Sequence, residues 1–240
     1  PGEVINLDHI LGATRNLVAL VGIELEGGWN KVPEGQPIVK DGSVFKKVEQ
    51  PGFKIGEIAL VPIEPASVLK VLKMFYPQKF DTTCGMHVNM SFFRLIEYQL
   101  LMDSPDYQET IIAYLSRWAK KVGFPKDHHI WPRLTGKNEY CQKKFWPDLQ
   151  VKYAEKDYNK ERNGHRYTAI HYAWRNKTIE CRLLPMLDTP EIAAEAVQRV
   201  IDITNAYLFL VDKKRVREGI KVKLSPHEVY EESLEIVLGG

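Results

Sequence analysis

Three stretches of the chain carry chemically active side chains two residues apart: Glu24 and Glu26, His87 and Asn89, Glu180 and Arg182. The residues between and around them are apolar, with Val21, Ile23 and Leu25 in the first stretch, Met86, Val88, Met90 and Phe92 in the second, and Cys181 in the third. Side chains alternate along a β-strand, so this spacing puts each polar pair on one face of a sheet and the apolar set on the other. A face bearing acid pairs is costly to bury unless the acids are solvated, paired or bound to metal. Carboxylate oxygens are hard ligands suited to Mg²⁺ or Mn²⁺, and Mg²⁺ is commonly held by carboxylates together with substrate phosphates. Arg182 beside Glu180 supplies a forked donor for phosphate or carboxylate.

Each pair alone has a plainer reading. Glu24 and Glu26 could form a solvated strand face, and His87 could be a hydrogen-bonded structural histidine. Glu180 and Arg182 could be a charge pair worth under about 1 kcal/mol. Three such pairs on otherwise apolar strands are harder to explain this way, and the set points to metal or phosphate chemistry.

These groups need elements to hold them. Residues 17–26, 53–61 and 86–92 read as strands, the second carrying Glu57 and ending at Pro62. Residues 66–75 read as a helix with Val68, Leu69, Leu72 and Phe75 on its apolar stripe. A short helix is expected over 94–102. A longer one is expected over 106–122, with Ile111, Ile112, Leu115, Ala119 and Val122 at helical spacing. Asp41-Gly42-Ser43 reads as a turn. Residues 167–174 and 178–184 read as an antiparallel pair across Arg175-Asn176-Lys177, and Pro190 opens a long helix carrying Ile192, Ala196, Val200, Ile203, Tyr207 and Val211 along one side. Ser225, Pro226 and Glu228 are an N-cap, a first-turn proline and a capping-box acid for a last helix over about 225–238. The expected class is α+β, a single domain over 1–240, because 240 residues bury one sizeable core and no linker divides them.

The ordered motifs Gly22-Ile-Glu-Leu-Glu26, Asp41-Gly-Ser43, Gly56-Glu-Ile58, Cys84-Gly-Met-His-Val-Asn-Met-Ser91, Arg166-Tyr-Thr-Ala-Ile170 and Thr178-Ile-Glu-Cys-Arg182 resemble the amidoligase family. That family belongs with the carboxylate–amine ligases related to glutamine synthetase and glutamate–cysteine ligase. Each motif is short, but the order and spacing over roughly residues 17–211 make the set fairly specific. The resemblance implies a largely antiparallel, curved sheet with helices packed on one face, holding ATP and two or more Mg²⁺ ions on the other. It implies metal ligation by Glu24, Glu26, Glu57, His87 and Glu180. It also implies contacts to nucleotide or acyl phosphate from Arg166 and Arg182, with His87 and Asn89 on the nucleotide side. The catalytic set is then Glu24, Glu26, Glu180 and Arg182. The implied reaction joins a carboxylate to an amine through an acyl phosphate. One position departs: the family reads His-x-His where this chain has His87-x-Asn89, and an amide cannot titrate or act as a nitrogen ligand.

Composition narrows the rivals. Lys+Arg 33 against Asp+Glu 31 leaves +2, so no global basic field advertises nucleic acid. The longest apolar stretch, 17–23, is too short for a bilayer. Residues 1–15 carry Glu3, Asp8 and Arg15 rather than the basic start and apolar middle of a secretory leader. Cys84, Cys141 and Cys181 are odd in number and in no metal-ligand spacing, which fits a reduced, cytoplasmic protein. They lack a partner signature for thiol catalysis, and His128-His129 suits loop packing better than metal. Residues 123–165 read as a long irregular loop whose basic and aromatic part, 137–166, could be a solvated loop, a lid over an anionic substrate, or a single-strand binder. Leu238-Gly239-Gly240 reads as a frayed end rather than a conjugation tail. Two rivals to a ligase stand: a non-catalytic nucleotide- or ligand-binding or assembly protein, and a metal-dependent hydrolase.

Overall fold

A computed structural model of the chain describes residues 17–93, 105–143, 167–173 and 177–219. The alternating stretches become five strands: β1 (Val18–Trp29), β2 (Lys54–Ala59), β3 (Gly85–Phe92), β4 (Ile170–Ala173) and β5 (Thr178–Pro185). They form one sheet in the order β2-β1-β3-β5-β4, with every neighbouring pair antiparallel. Strand β1 runs three residues past the expected end, because Gly27, Gly28 and Trp29 continue the ladder opposite Gly56, Ile55 and Lys54 of β2. Helices are α1 (Val68–Phe75), α2 (Pro105–Val122), α3 (Ile130–Leu134) and α4 (Pro190–Gly219). The architecture is therefore α+β with an antiparallel sheet.

One sheet face is dry. Val21, Ile23 and Leu25 of β1, Met86, Val88 and Met90 of β3, and Ile179, Cys181 and Leu183 of β5 are all within 1% of full burial. They join Leu72 of α1, Ile111 and Leu115 of α2, and Ala196, Val197 and Val200 of α4 in a single apolar cluster. Helix α4 contacts α1, α2 and β1. Buried polar atoms between these elements are matched: Tyr107 bonds Thr204 at 2.9 Å, and the Val18 amide donates to Asn205 Oδ1 at 2.9 Å.

Several details depart from the sequence reading. Leu69 and Val122, expected on apolar stripes, are exposed at 38% each; they lie at the stripe margin and the last helical turn. Pro65–Ser67 forms a 3-10 turn before α1, because proline fixes the entry dihedral but donates no hydrogen bond. Helix α3 lies inside what reads as irregular loop, its five residues too few to show a period. The expected helix at 94–102, the last helix at 225–238, Arg166 and the basic stretch beyond 143 lie outside the described residues.

Candidate functional site

The opposite sheet face gathers the polar pairs. Register sets Glu24 opposite His87, Gly22 opposite Asn89, Asn89 opposite Glu180, and Glu26 opposite Glu57. Strands β2, β1, β3 and β5 are successive neighbours, so residues distant in sequence meet in one row. His87, 3% exposed, sits at its centre. Its Nδ1 lies 3.1 Å from Glu24 Oε2, 3.4 Å from Arg182 Nη1 and 3.9 Å from Glu180 Oε1. Its Nε2 is 3.6 Å from Glu26 Oε1 and has no hydrogen-bond partner. Carboxylates thus lie beside both ring nitrogens, Glu24 at Nδ1 and Glu26 at Nε2. Metal-bound histidines are oriented by a carboxylate in this way.

Asn89 takes a supporting place, its Nδ2 donating to Glu24 Oε1 at 3.3 Å. Arg182, 8% exposed, donates from Nη1 to Glu180 Oε1 at 2.6 Å and from Nε to the Tyr140 carbonyl at 3.3 Å, with the Tyr167 ring 5.9 Å from its Cζ. Burial works against its charge, but Glu180, Glu26 and Glu24 outweigh burial and raise its pKa.

A second cluster adjoins the first. Ligand oxygens of Glu26, Asp41 and Glu57 lie within 4.8 Å of one another, the spacing of donors around a single ion. Glu57 is half-buried, and burial first, then Glu24, Asp41 and Glu26, push its carboxyl up to about 7. Glu26 is held by the Gly85 amide, which donates to Oε2 at 2.6 Å. Asp41 arrives through a bridge outside the regular strands. Val39 and Glu57 exchange backbone hydrogen bonds at 2.9 and 2.8 Å, and this pins the loop onto β2. The Ser43 amide and hydroxyl then fix Asp41 Oδ1 at 2.7 and 2.8 Å.

The structure thus unites Glu24, Glu26, Glu57, His87, Asn89, Glu180 and Arg182 on one face. It divides the expected metal ligands, however, since only Glu26 and Glu57 of that set fall in the three-oxygen group. Asp41, read from sequence as a turn residue within one of the family-like motifs but not as a metal ligand, is the third member. A cavity of about 550 Å³ opens beside Asp41, walled by Lys40, Lys47, Val44, Phe53 and Ile55. Phe45, Lys46 and Lys47, the last of which lines the cavity, hold φ of 51°, 51° and 66°, three consecutive non-glycine residues in the left-handed region. Such conformations persist only where surroundings impose them. Here Thr83 Oγ1 accepts the Phe45 amide at 2.8 Å.

Arg133, from α3, is the other residue the sequence reading passes over. It is 1% exposed and reaches Gly85. Burial lowers its pKa from the usual value, partly offset by Cys141 and Glu26. The remaining candidates resolve as packing. His129 Nε2 donates to the Met186 carbonyl at 2.6 Å and stacks on His128, which accepts the Ile130 amide at 3.1 Å. All three cysteines are buried, and burial pushes Cys84 and Cys181 up to about 12 and Cys141 up to about 11. No helix among the described residues is long and apolar enough to cross a membrane.

No family model, curated protein or solved structure matches this chain. A functional assignment therefore rests on the geometry of the site.

Proposed function

We propose that the protein is an ATP- and Mg²⁺-dependent carboxylate–amine ligase with a fold of the glutamine synthetase type. The observation that carries this reading is the three-oxygen group of Glu26, Asp41 and Glu57 next to His87, whose Nε2 is buried and has no hydrogen-bond partner. Carboxylates with a single imidazole suit Mg²⁺ or Mn²⁺ better than a thiolate-seeking metal. Bound divalent ions would neutralise phosphoryl oxygens of the nucleotide. Glu26, Asp41, Glu57 and His87 would hold them, with Glu24 orienting the imidazole. Arg182, kept in place by Glu180 and the Tyr140 carbonyl, faces the same charge.

The chemistry needs no protein nucleophile. A substrate carboxylate oxygen attacks the γ-phosphorus of ATP, the bond to the bridging oxygen breaks, and ADP leaves. An amine nitrogen then attacks the acyl-phosphate carbon, the C–O bond breaks, and phosphate departs with the amine's proton. Positioning and charge neutralisation are the protein's share.

The test is isothermal titration of ATP-γ-S with and without Mg²⁺ on the wild type and Glu57→Gln, followed by phosphate release from ATP with pooled acids and amines. Metal-dependent binding lost in the variant, and release that requires the amine, support a ligase. Binding without turnover favours a non-catalytic nucleotide-binding protein, a reading that Asn89 sustains by standing where a second histidine would ligate. Metal-dependent cleavage of amide or phosphate esters without ATP favours a hydrolase.

A further inference from the structure

We infer that Arg133 is an oxyanion-binding residue of this site, holding the carboxylate of the acid substrate or the phosphoryl group it receives; the inference rests on the ligase reading. Its guanidinium carries more donor capacity than the protein uses. Nη1 donates to the Arg182 carbonyl at 3.0 Å, while Nε and Nη2 are buried and have no hydrogen-bond partner. Among the described residues no carboxylate stands within ion-pair distance of it. The nearest acid in charge terms, Glu26, is engaged elsewhere, its Oε2 by the Gly85 amide at 2.6 Å and its Oε1 beside His87 Nε2 at 3.6 Å.

An arginine does not escape this situation by losing its proton, because its intrinsic pKa is above about 12. An unpaired buried guanidinium costs far more than a paired one. A protein that keeps such a residue against the polar face of the sheet, beside Gly85 and His87, provides for a partner that comes from outside. Nε and Nη2 are adjacent on one edge of the planar fork, and that edge matches two oxygens of a carboxylate or phosphate.

The backbone makes room for the fork. A Cβ on residue 85 would lie 2.8 Å from Arg133 Nη2 and 3.1 Å from Nη1, and 3.1 Å from His87 Nε2. Any side chain there would therefore drive the guanidinium and the imidazole apart. Gly85 is thus the floor on which Arg133 and His87 come together, and its amide anchors the Glu26 carboxylate of the metal group. An oxyanion on the Arg133 fork lies beside the acids proposed to carry the metal, where a carboxylate awaiting phosphoryl transfer is needed. The placement of α3 is itself secured, since the Arg133 carbonyl accepts from the Gly136 amide at 3.4 Å and from Cys141 Sγ at 3.8 Å.

The test uses the full chain in chloride buffer of constant ionic strength, with and without Mn²⁺, adding inorganic phosphate or propionate. Thermal unfolding and isothermal titration report binding in the wild type, Arg133→Lys, Arg133→Met and Gly85→Ala, and Mn²⁺ resonance reports metal binding in the same samples. The wild type should be stabilised by one of the two anions. A response to propionate assigns the fork to the acid substrate, and a response to phosphate assigns it to the transferred group. Arg133→Lys keeps the charge but loses the fork, and should weaken the anion at least about tenfold. Gly85→Ala should do the same with Arg133 intact. Arg133→Met should match or exceed the anion-free stability of the wild type, because it removes an unpaired buried charge, yet show no anion response. An Arg133→Met protein that melts lower and still binds the anion would make Arg133 structural and overturn the inference. Absence of any anion response in the wild type overturns it regardless of how the variants fold. If Mn²⁺ still binds in that case, the ligase reading survives; if Mn²⁺ is also lost, both fall.

Discussion

Metal binding at this site should be gated by one carboxyl group. Glu57 shares its ligand position with Glu26 and Asp41, and burial with three neighbouring acids lifts it to about 7 from the ordinary 4.5. A cation binds the ionised form and must displace the proton. For a single site at about 7, the ionised fraction is roughly 1 in 100 at pH 5, one half at pH 7 and nine tenths at pH 8. Apparent Mn²⁺ affinity should therefore rise about 50-fold from pH 5 to 7 and less than about twofold from 7 to 8. Glu57→Gln keeps an oxygen but removes the titrating charge. It should bind more weakly at pH 8 and lose most of the rise between pH 5 and 7. Free Mn²⁺ measured by electron paramagnetic resonance across this range gives both curves.

Stability moves the other way in the metal-free protein. The folded state accepts a proton on Glu57 at about 7, and the unfolded chain near 4.5. The stabilisation from that proton is complete below about 4.5 and is lost as pH rises through about 7. Melting of the wild type relative to Glu57→Gln should accordingly fall between pH 5 and 7.5, and saturating Mn²⁺ should reverse the trend. A Glu57→Gln curve parallel to the wild type in both assays would refute the argument, because the titrating group would then lie elsewhere.

Other outcomes follow from the same geometry. Glu180→Ala strands the buried Arg182 guanidinium and should cost about 3 kcal/mol in urea unfolding, while Glu180→Ala with Arg182→Met should recover most of it. Gly56→Ala places a Cβ 2.1 Å from the Val39 carbonyl oxygen, so it should break the bridge that delivers Asp41. Unfolding should show a loss of about 2–4 kcal/mol, and Mn²⁺ affinity should fall although no ligand is changed. The three cysteines should be inert to a disulfide reagent at pH 7.5 until the chain is unfolded, their thiols being buried and raised to about 11 or above.

What the sequence discloses here is what a period of two can encode. Alternation along β1, β3 and β5 separates Glu24, Glu26, His87, Asn89, Glu180 and Arg182 from the apolar face before any strand is paired. The order β2-β1-β3-β5-β4, which turns three separate pairs into one cluster, is set by long-range packing and has no local signal. Asp41 shows why turns hide ligands. Its Asx geometry with Ser43 accounts fully for its presence in a loop, and only the Val39–Glu57 bridge reveals that the loop lies on the sheet. Arg133 is hidden for another reason. A five-residue helix between aromatic and basic residues has no period to read, and a buried arginine looks like a surface one until its surroundings are known.

Charge balance ties the site together. Glu24, Glu26, Asp41, Glu57 and Glu180 face Arg133 and Arg182, an excess of three acids in a region where His87, Glu26, Glu180 and both arginines are almost wholly buried. The protein alone relieves part of this by protonating Glu57 and by pairing Glu180 with Arg182. Two demands remain, and they are opposite in sign. The three-oxygen group calls for positive charge, while beside Gly85, whose amide holds Glu26, the free edge of Arg133 calls for negative charge. A cation alone would leave the guanidinium unpaired, and an anion alone would be repelled by the acids. Metal and oxyanion together satisfy both, so each should tighten the other by the same factor. Mn²⁺ should therefore strengthen anion binding in the wild type, the anion should strengthen Mn²⁺ reciprocally, and the coupling should vanish in Arg133→Met while Mn²⁺ still binds. Coupling that persists in Arg133→Met would mean that the anion sits on the metal alone, and the complementarity argued here would fail.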